Sequence, residues 1–343
     1  GIQLFLDRIL DKENGVLGNL SELARVGFKT VLSRDHYGIH ELTPEVLQGM
    51  EDYMVVAPAH NKPYLEAIRQ FQKLTPDAML VGAFETAFHQ TIPQERRIYG
   101  IPWEWYETYG IQRLGYHGAS HSYVAETLTD LYGSTGKAIS CHLGGSGSLC
   151  AIDDGKSVDT SFGISLQVGV IQSNRCGDID PYIPLHIMKT QNLSADEVNA
   201  MLNKQSGLCG LTGGLSDLRD IEAGVLQGNQ KVIDAVNTYV HCLIKYIGGY
   251  VAVLGGVDAI VFTAGAGENS SFIRKLVCER LAYLGIELDE NANRTRGAAV
   301  EITKPGSKVR VLVIPTNEEL VIARDSYKLA VGEAETSPLR AVS

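Results

Sequence analysis

Short runs dense in Val, Ile, Leu and Ala recur along the chain, each closed by glycine or polar residues and followed by a segment of helical spacing. Glu22 to Leu32 leads into the strand-like FKTVL, and Thr43-Pro44 supplies a helix start. AMLVGA (Ala78 to Ala83) reads as a buried strand, with Glu85 just past its end. A stretch rich in His, Tyr and Trp runs to His121, and a helix is predicted from Ser122 to Leu131. Helices dominate from Pro184 to Leu254; Ser194 and Glu197 form a capping box there, with Leu193 and Val198 as its staple. Two strand–loop–helix units follow, DAIVFTAGAGENSSFIRKLVCERL and KVRVLVIPTNEELVIARD, the second with Thr316 and Glu319 as a further capping box. This alternation predicts an α/β protein with mixed sheets flanked by helices.

The densest chemistry lies in CHLGGSGSLCAIDDGKSVDTSFGISLQVGVIQSNRCGDIDP (Cys141 to Pro181). Apolar runs flank its glycine turn, so the turn joins two strands and can gather backbone N–H groups for phosphate oxygens. Arg175, beside two aspartates in NRCGDID, adds a cation and metal-type carboxylates, the parts that phosphoryl transfer requires. Asp154-Gly155 reads as a hairpin turn. Neither GSTGKA nor CAIDDGKS has the GxxxxGK[ST] spacing, which excludes a Walker-type loop. His117 and His121 in HGASH stand four apart without a third ligand, so a structural role or hydrogen bonding to an anion outranks metal binding for them. A second glycine loop, Thr263 to Asn269, opens a helix, and the polar pair Asn317-Glu318 follows another strand.

Composition narrows the field. A chain of 343 residues, 44% hydrophobic, has material for two domains. A net charge of −10 argues against a nucleic-acid surface. No apolar run reaches membrane-spanning length. Six scattered cysteines without paired spacing read as reduced core thiols of a cytoplasmic protein, Cys176 beside Arg175 being the one candidate for reactivity.

Several stretches, in order and spacing, carry a resemblance to the acetate kinase family of the sugar kinase/Hsp70/actin superfamily. They include APAHN (Ala57 to Asn61), FETAFHQTIP (Phe84 to Pro93), YGIPWEWYETYGIQRLGYHGASHSYVAE (Tyr99 to Glu126) and CHLGG (Cys141 to Gly145). Further along come GKSVDTSFG, NRCGDIDP, FTAGAGENS and VIPTNEELVIARD. The resemblance implies a two-domain actin-like ATPase (ribonuclease H-like) fold around a central cleft. It places an incomplete N-terminal domain at 1–84 plus 320–343 and a nucleotide-binding domain at 85–319. It implies reversible transfer of the ATP γ-phosphoryl group to acetate or a similar short acid, with Mg²⁺, in a homodimer that needs no membrane or nucleic acid.

Residue by residue, Arg175 resembles the arginine that grips carboxylate and phosphoryl, and His117 the histidine that donates to the phosphoryl oxygens. His142, Gly144, Gly145, Ser146 and Gly147 resemble the phosphate hairpin. Asp217, Leu218 and Arg219 resemble nucleotide contacts, and Gly265, Ala266, Gly267 and Asn269 the adenosine pocket. Glu318 resembles the magnesium-linked glutamate, Lys29 holds the place of the acid-gripping arginine, and His60 would order the cleft.

The departures fall on chemistry. The family's opening strand and first phosphate motif have no counterpart here. GFKTVLSR replaces GHRVVHGG, so Lys29 keeps the charge but loses the guanidinium fork. Glu85 replaces the catalytic, metal-side aspartate of FDTAFHQ and should displace a metal or water by roughly an ångström. Gly145 replaces the asparagine of HLGNG, and SLQVG replaces TPLEG. Three readings stay open: an acetate-type kinase, a catalytically impaired or regulatory homologue that binds nucleotide, and a kinase for another carboxylic acid.

Overall fold

A computed structural model describes residues 1–56 and 58–332. Ala57, which opens APAHN, and residues 333–343 of the expected first domain lie outside the described residues. The chain forms two compact units, Gly1–Gln90 with the segment from Asn317 onward, and Thr91–Thr316. The breaks fall at 90/91 and 316/317, where the sequence expectation was 84/85 and 319/320, so Glu85 and Glu318 both belong to the first unit.

The first unit is built on strands β1 (Arg25–Thr30), β2 (Ile39–Glu41) and β3 (Met79–Phe84), in the order β1-β3-β2. β1 runs parallel to β3 and β2 antiparallel to it. Phe28, Leu80, Phe84, Met50, Leu65 and Ile68 fill the core. Thr43 caps the helix Pro44–Asp52, as its sequence predicts. Asn61 donates to the carbonyls of Leu32 and Met50 at 2.9 and 2.8 Å, so the asparagine of APAHN ties elements together. The helix Glu318–Ala330 lies against β1 because Gly27 leaves room; a Cβ there would meet Ser326 Oγ at 2.7 Å. Its cap is Asn317, whose side chain accepts from Leu320 N at 3.2 Å. The expected Thr316–Glu319 box does not form, because Thr316 spends its N–H on Glu268 and its hydroxyl on Ser120.

The second unit carries β4 (Lys137–Leu143), β5 (Gly147–Asp153), β6 (Lys156–Thr160), β7 (Ala259–Thr263), β8 (Val300–Glu301) and β9 (Arg310–Val313). Their order is β6-β5-β4-β7-β9-β8. β4, β7 and β9 are parallel; the other neighbours pair antiparallel. Asp154 (φ 45°) and Gly155 (φ 79°) turn β5 into β6 as the D-G pair predicts. Fully apolar strands are expected in a sheet covered on both faces, and all of β7 is buried. The helix Gln230–Leu254 packs Val236, Val240, Leu243 and Ile247 into this core beside Ile139, Leu149 and Phe262. Ser194 and Glu197 make their predicted capping box. No described helix is long and apolar enough to cross a membrane.

Phe262 is fully buried at the centre of this sheet. Phe262→Ala should cost ~3–5 kcal/mol, read as a lower urea midpoint with unchanged slope; a loss below ~1 kcal/mol would show the centre of this core to be loosely packed.

Candidate active site

In the second unit the parallel register sets His142 opposite Thr263, so β4 and β7 end side by side. After β4 the chain turns through Gly144, Gly145 and Ser146 into β5, with Gly144 N–H donating to Ser146 O at 3.1 Å. After β7 it enters the short helix Ala264–Asn269 through Ala264, held at φ 63°. A non-glycine residue there carries strain of ~1–2 kcal/mol. Gly267 lets that helix sit on the strand ends, since a Cβ would lie 3.3 Å from the Phe262 carbonyl carbon.

Between these two turns lies a pocket of about 540 Å³. Gly144 and Gly145 form one wall, Gly265, Ala266 and Asn269 another. Asp217, Leu218 and Arg219 close it, together with Ser173, Glu222 and Arg296. The sequence reading missed Glu222 and Arg296, which stand outside any glycine or charge motif. Asp217 caps the helix Leu218–Leu226 and accepts from Arg219. The Arg219 side-chain hydrogen bond, chiefly, brings its carboxyl down to about 2. His142, Ser146 and Gly147 lie on or beside the hairpin, and Gly267 lies against Phe262 and Cys141 near the ends of β7 and β4.

Arg175 reaches the same hairpin. Its Nη1 donates to Ser146 Oγ at 3.0 Å and to Gln172 Oε1 at 3.2 Å. Burial pulls the half-buried guanidinium below its ordinary range. No carboxylate among the described residues forms a salt bridge with it. The aspartates that follow it serve the loop instead of a metal. Asp178 accepts from Gly169 N–H at 2.9 Å and Tyr246 hydroxyl at 2.6 Å, and Asp180 accepts from Tyr182 N–H at 2.8 Å. Burial pushes the neighbouring Cys176 thiol up, away from reactivity.

His117 stands at φ 75° as the N-cap of the helix Gly118–Tyr132, which puts its ring over that of His142 with centroids 3.9 Å apart. Serines hold these rings. Ser148 Oγ is 2.8 Å from His117 Nδ1, and Ser120 Oγ 2.8 Å from His142 Nδ1. HGASH is thus a hydrogen-bonding motif, as the sequence suggests; its serine was the signal that went unread.

In the first unit Lys29 Nζ lies 2.9 Å from both Glu85 Oε1 and Glu318 Oε2. Burial lowers its ammonium and the two carboxylates raise it; the net lies above the ordinary lysine range. Glu318 Oε1 is buried without a hydrogen-bond partner. A hard, orphaned carboxylate oxygen suits Mg²⁺, which takes one or two protein carboxylates and keeps other positions for water and phosphate. No cluster of three or more His, Cys, Asp or Glu suited to a metal ion occurs among the described residues. His60 lies in the first turn of the helix Pro58–Leu74.

A sheet of this order, with a glycine hairpin and a helix start at adjoining strand ends, defines an actin-like ATPase fold equipped for a phosphorylated ligand. Comparison with known proteins is specific. The profile of the Acetokinase family matches residues 1–324. The acetate kinase of Halothermothrix orenii is 46% identical over 96% of this chain and 84% of its own. That of Carboxydothermus hydrogenoformans is 44% identical over 97% of this chain and 84% of its own. Among solved structures, Porphyromonas gingivalis acetate kinase superposes with a TM-score of 0.88 at 35% identity, covering 96% of this chain and 84% of that one. A propionate kinase from Francisella tularensis gives 0.88 at 32%, covering 95% and 83%. The chain belongs to the acetate kinase family, and it is a transferase of the kinase type.

Removing Lys29 strips the buried Glu85 of its ammonium. Lys29→Met should cost about 2–3 kcal/mol in urea unfolding, less than a fully buried pair because Lys29 is partly exposed. Lys29→Met with Glu85→Gln should recover most of it; no recovery would mean the two groups are not energetically coupled.

Proposed function

We propose that this enzyme transfers the γ-phosphoryl group of ATP to a short-chain carboxylic acid, giving acyl phosphate and ADP. The observation that carries this reading is Arg175, a half-buried guanidinium held at the glycine hairpin and salt-bridged to no carboxylate among the described residues. Such a cation calls for an anion.

The pocket walled by Gly144, Gly265 and Asn269 has the volume of a cofactor site and takes the nucleotide. Arg175 and His117 act on the transferring group. Charge grows on its equatorial oxygens, and preorganised donors offset that charge without reorganising. The acid arrives ionised at neutral pH, so no residue need serve as a strong general base. Glu318, through its orphaned oxygen, and Glu85 would hold Mg²⁺ in the first unit. When bound, such an ion would supply neutralisation of phosphate charge. The setting we infer from the family resemblance is a homodimer in the cytoplasm.

A second reading, a nucleotide-binding homologue with impaired catalysis, rests on Lys29 and Glu85. The geometry of the pair speaks against it. The longer acid and shorter base meet at 2.9 Å, so the two departures form an ion pair with each other. Glu85→Asp would draw the carboxylate back by about 1.5 Å, one C–C bond. It should slow turnover about tenfold or more, and Lys29→Arg in the same chain should restore part of it. Faster turnover in the single variant would mark the long side chain as a defect.

The direct test is acyl-hydroxamate formation with acetate, propionate and butyrate. Arg175→Ala should lower kcat by at least two orders of magnitude. Near-normal turnover would remove Arg175 from the mechanism. No product with any acid, despite ATP binding, would favour the impaired homologue.

A further inference from the structure

The serine hydroxyls around the stacked histidines decide where the ring protons sit. Ser148 Oγ lies 2.8 Å from His117 Nδ1 and 2.9 Å from His121 Nε2. Having one proton, it donates to one ring and accepts from the other. His121 Nδ1 lies 2.9 Å from Ser140 Oγ, on β4. All four residues are buried, Ser140, Ser148 and His121 completely.

One arrangement satisfies every hydroxyl. Ser140 donates to His121 Nδ1, His121 Nε2–H donates to Ser148, and Ser148 donates to His117 Nδ1. His117 then carries its proton on Nε2. The alternatives fail at one end. If His117 Nδ1 bears a proton, Ser148 accepts it and must pass its own to His121 Nε2. His121 Nδ1–H then donates to Ser140, and the Ser140 proton has no acceptor among the described residues. If Ser148 instead accepts from both rings, its own proton is stranded. A buried donor without a partner disfavours each alternative by about an order of magnitude or more. The neighbouring ring is wired in the same sense. Thr316 Oγ1 donates to Ser120 Oγ at 3.1 Å, which leaves the Ser120 proton for His142 Nδ1.

We propose that Ser140, His121 and Ser148 form a one-way hydrogen-bond chain that fixes His117 as the neutral Nε2–H tautomer, ready to donate and unable to act as a base at that nitrogen. The catalytic meaning rests on the reading that His117 serves the phosphoryl group; the tautomer itself does not. His121, Ser140 and Ser148 are therefore positioning residues.

The test is long-range ¹H–¹⁵N correlation spectroscopy of the whole chain labelled with [¹⁵N]histidine at pH 7.5, with rings assigned from His117→Asn and His121→Asn. The expected result is a protonated Nε2 and a pyridine-type Nδ1 on both His117 and His121. A protonated Nδ1 on His117, in a neutral or cationic ring, overturns the proposal. Ser140→Ala removes the anchor of the chain without touching His117. It should raise the Nδ1-protonated fraction of His117 at least fivefold, whereas a serine that merely packs would leave that ring unchanged, and that result also overturns the proposal. Hydroxamate turnover separates the two layers: full activity in His117→Ala would sink the catalytic reading and leave the tautomer result standing.

Discussion

Two parallel strands that end at the same level impose the arrangement of the second unit. β4 and β7 are buried along nearly their whole lengths, so their backbone groups are satisfied by the sheet up to the last residues they pair, His142 and Thr263. Beyond that level the chain must leave the sheet, and polar backbone groups with it. The hairpin at Gly144 and the helix at Ala264 are the two exits, a few ångströms apart, with a Cβ on Gly144 reaching to 3.8 Å from Ala264 Cβ. The pocket exists because these exits diverge. Strain at Ala264 and His117, both at positive φ, is carried by the buried core below them.

The charged groups follow opposite rules in the two units. Arg175 is a cation whose neighbours are a hydroxyl, an amide oxygen and a carbonyl, so its charge is solvated but not cancelled. Lys29 is a cation shared by two carboxylates. A positive charge left uncancelled, as at Arg175, is costly for folding alone. On the proposed function, an anionic ligand would complete the balance at Arg175 and a cation would take up the orphaned oxygen of Glu318.

Much of this was legible in the chain. The glycine turn between apolar runs, the D-G hairpin and the Ser194 capping box follow from local chemistry that tertiary context did not override. The glycine hairpin could be named because such a turn brings backbone close to a ligand, whereas the DLR residues and the adenosine-pocket role were named from the family resemblance. Glu222 and Arg296 could not be named, since ordinary residues on helices or loops carry no local sign of the tertiary contacts they will make. The Thr316–Glu319 box failed for the same reason: a hydroxyl distant in sequence, Ser120, competed for Thr316 and won. The aspartates after Arg175 looked like metal ligands because composition records charge but not what the charge is tied to. Glu85 and Lys29, each a departure when read singly, form one ion pair when read together; a lysine shorter than arginine meets a glutamate longer than aspartate.

The partner chosen for His117 fits the chemistry it would serve. A carboxylate behind an imidazole stabilises the cation and makes the ring a base, which is what a nucleophilic hydroxyl requires. A hydroxyl donating into Nδ1 does the reverse. On the proposed wiring it occupies the Nδ1 lone pair and leaves Nε2–H as the donor. A carboxylate substrate is ionised before it binds and has no proton to surrender, so a base at this position would be idle. A fixed neutral donor can follow the growth of charge on phosphoryl oxygens without first being charged itself. Serine in place of aspartate beside the ring is thus the side chain that the reaction's proton inventory calls for.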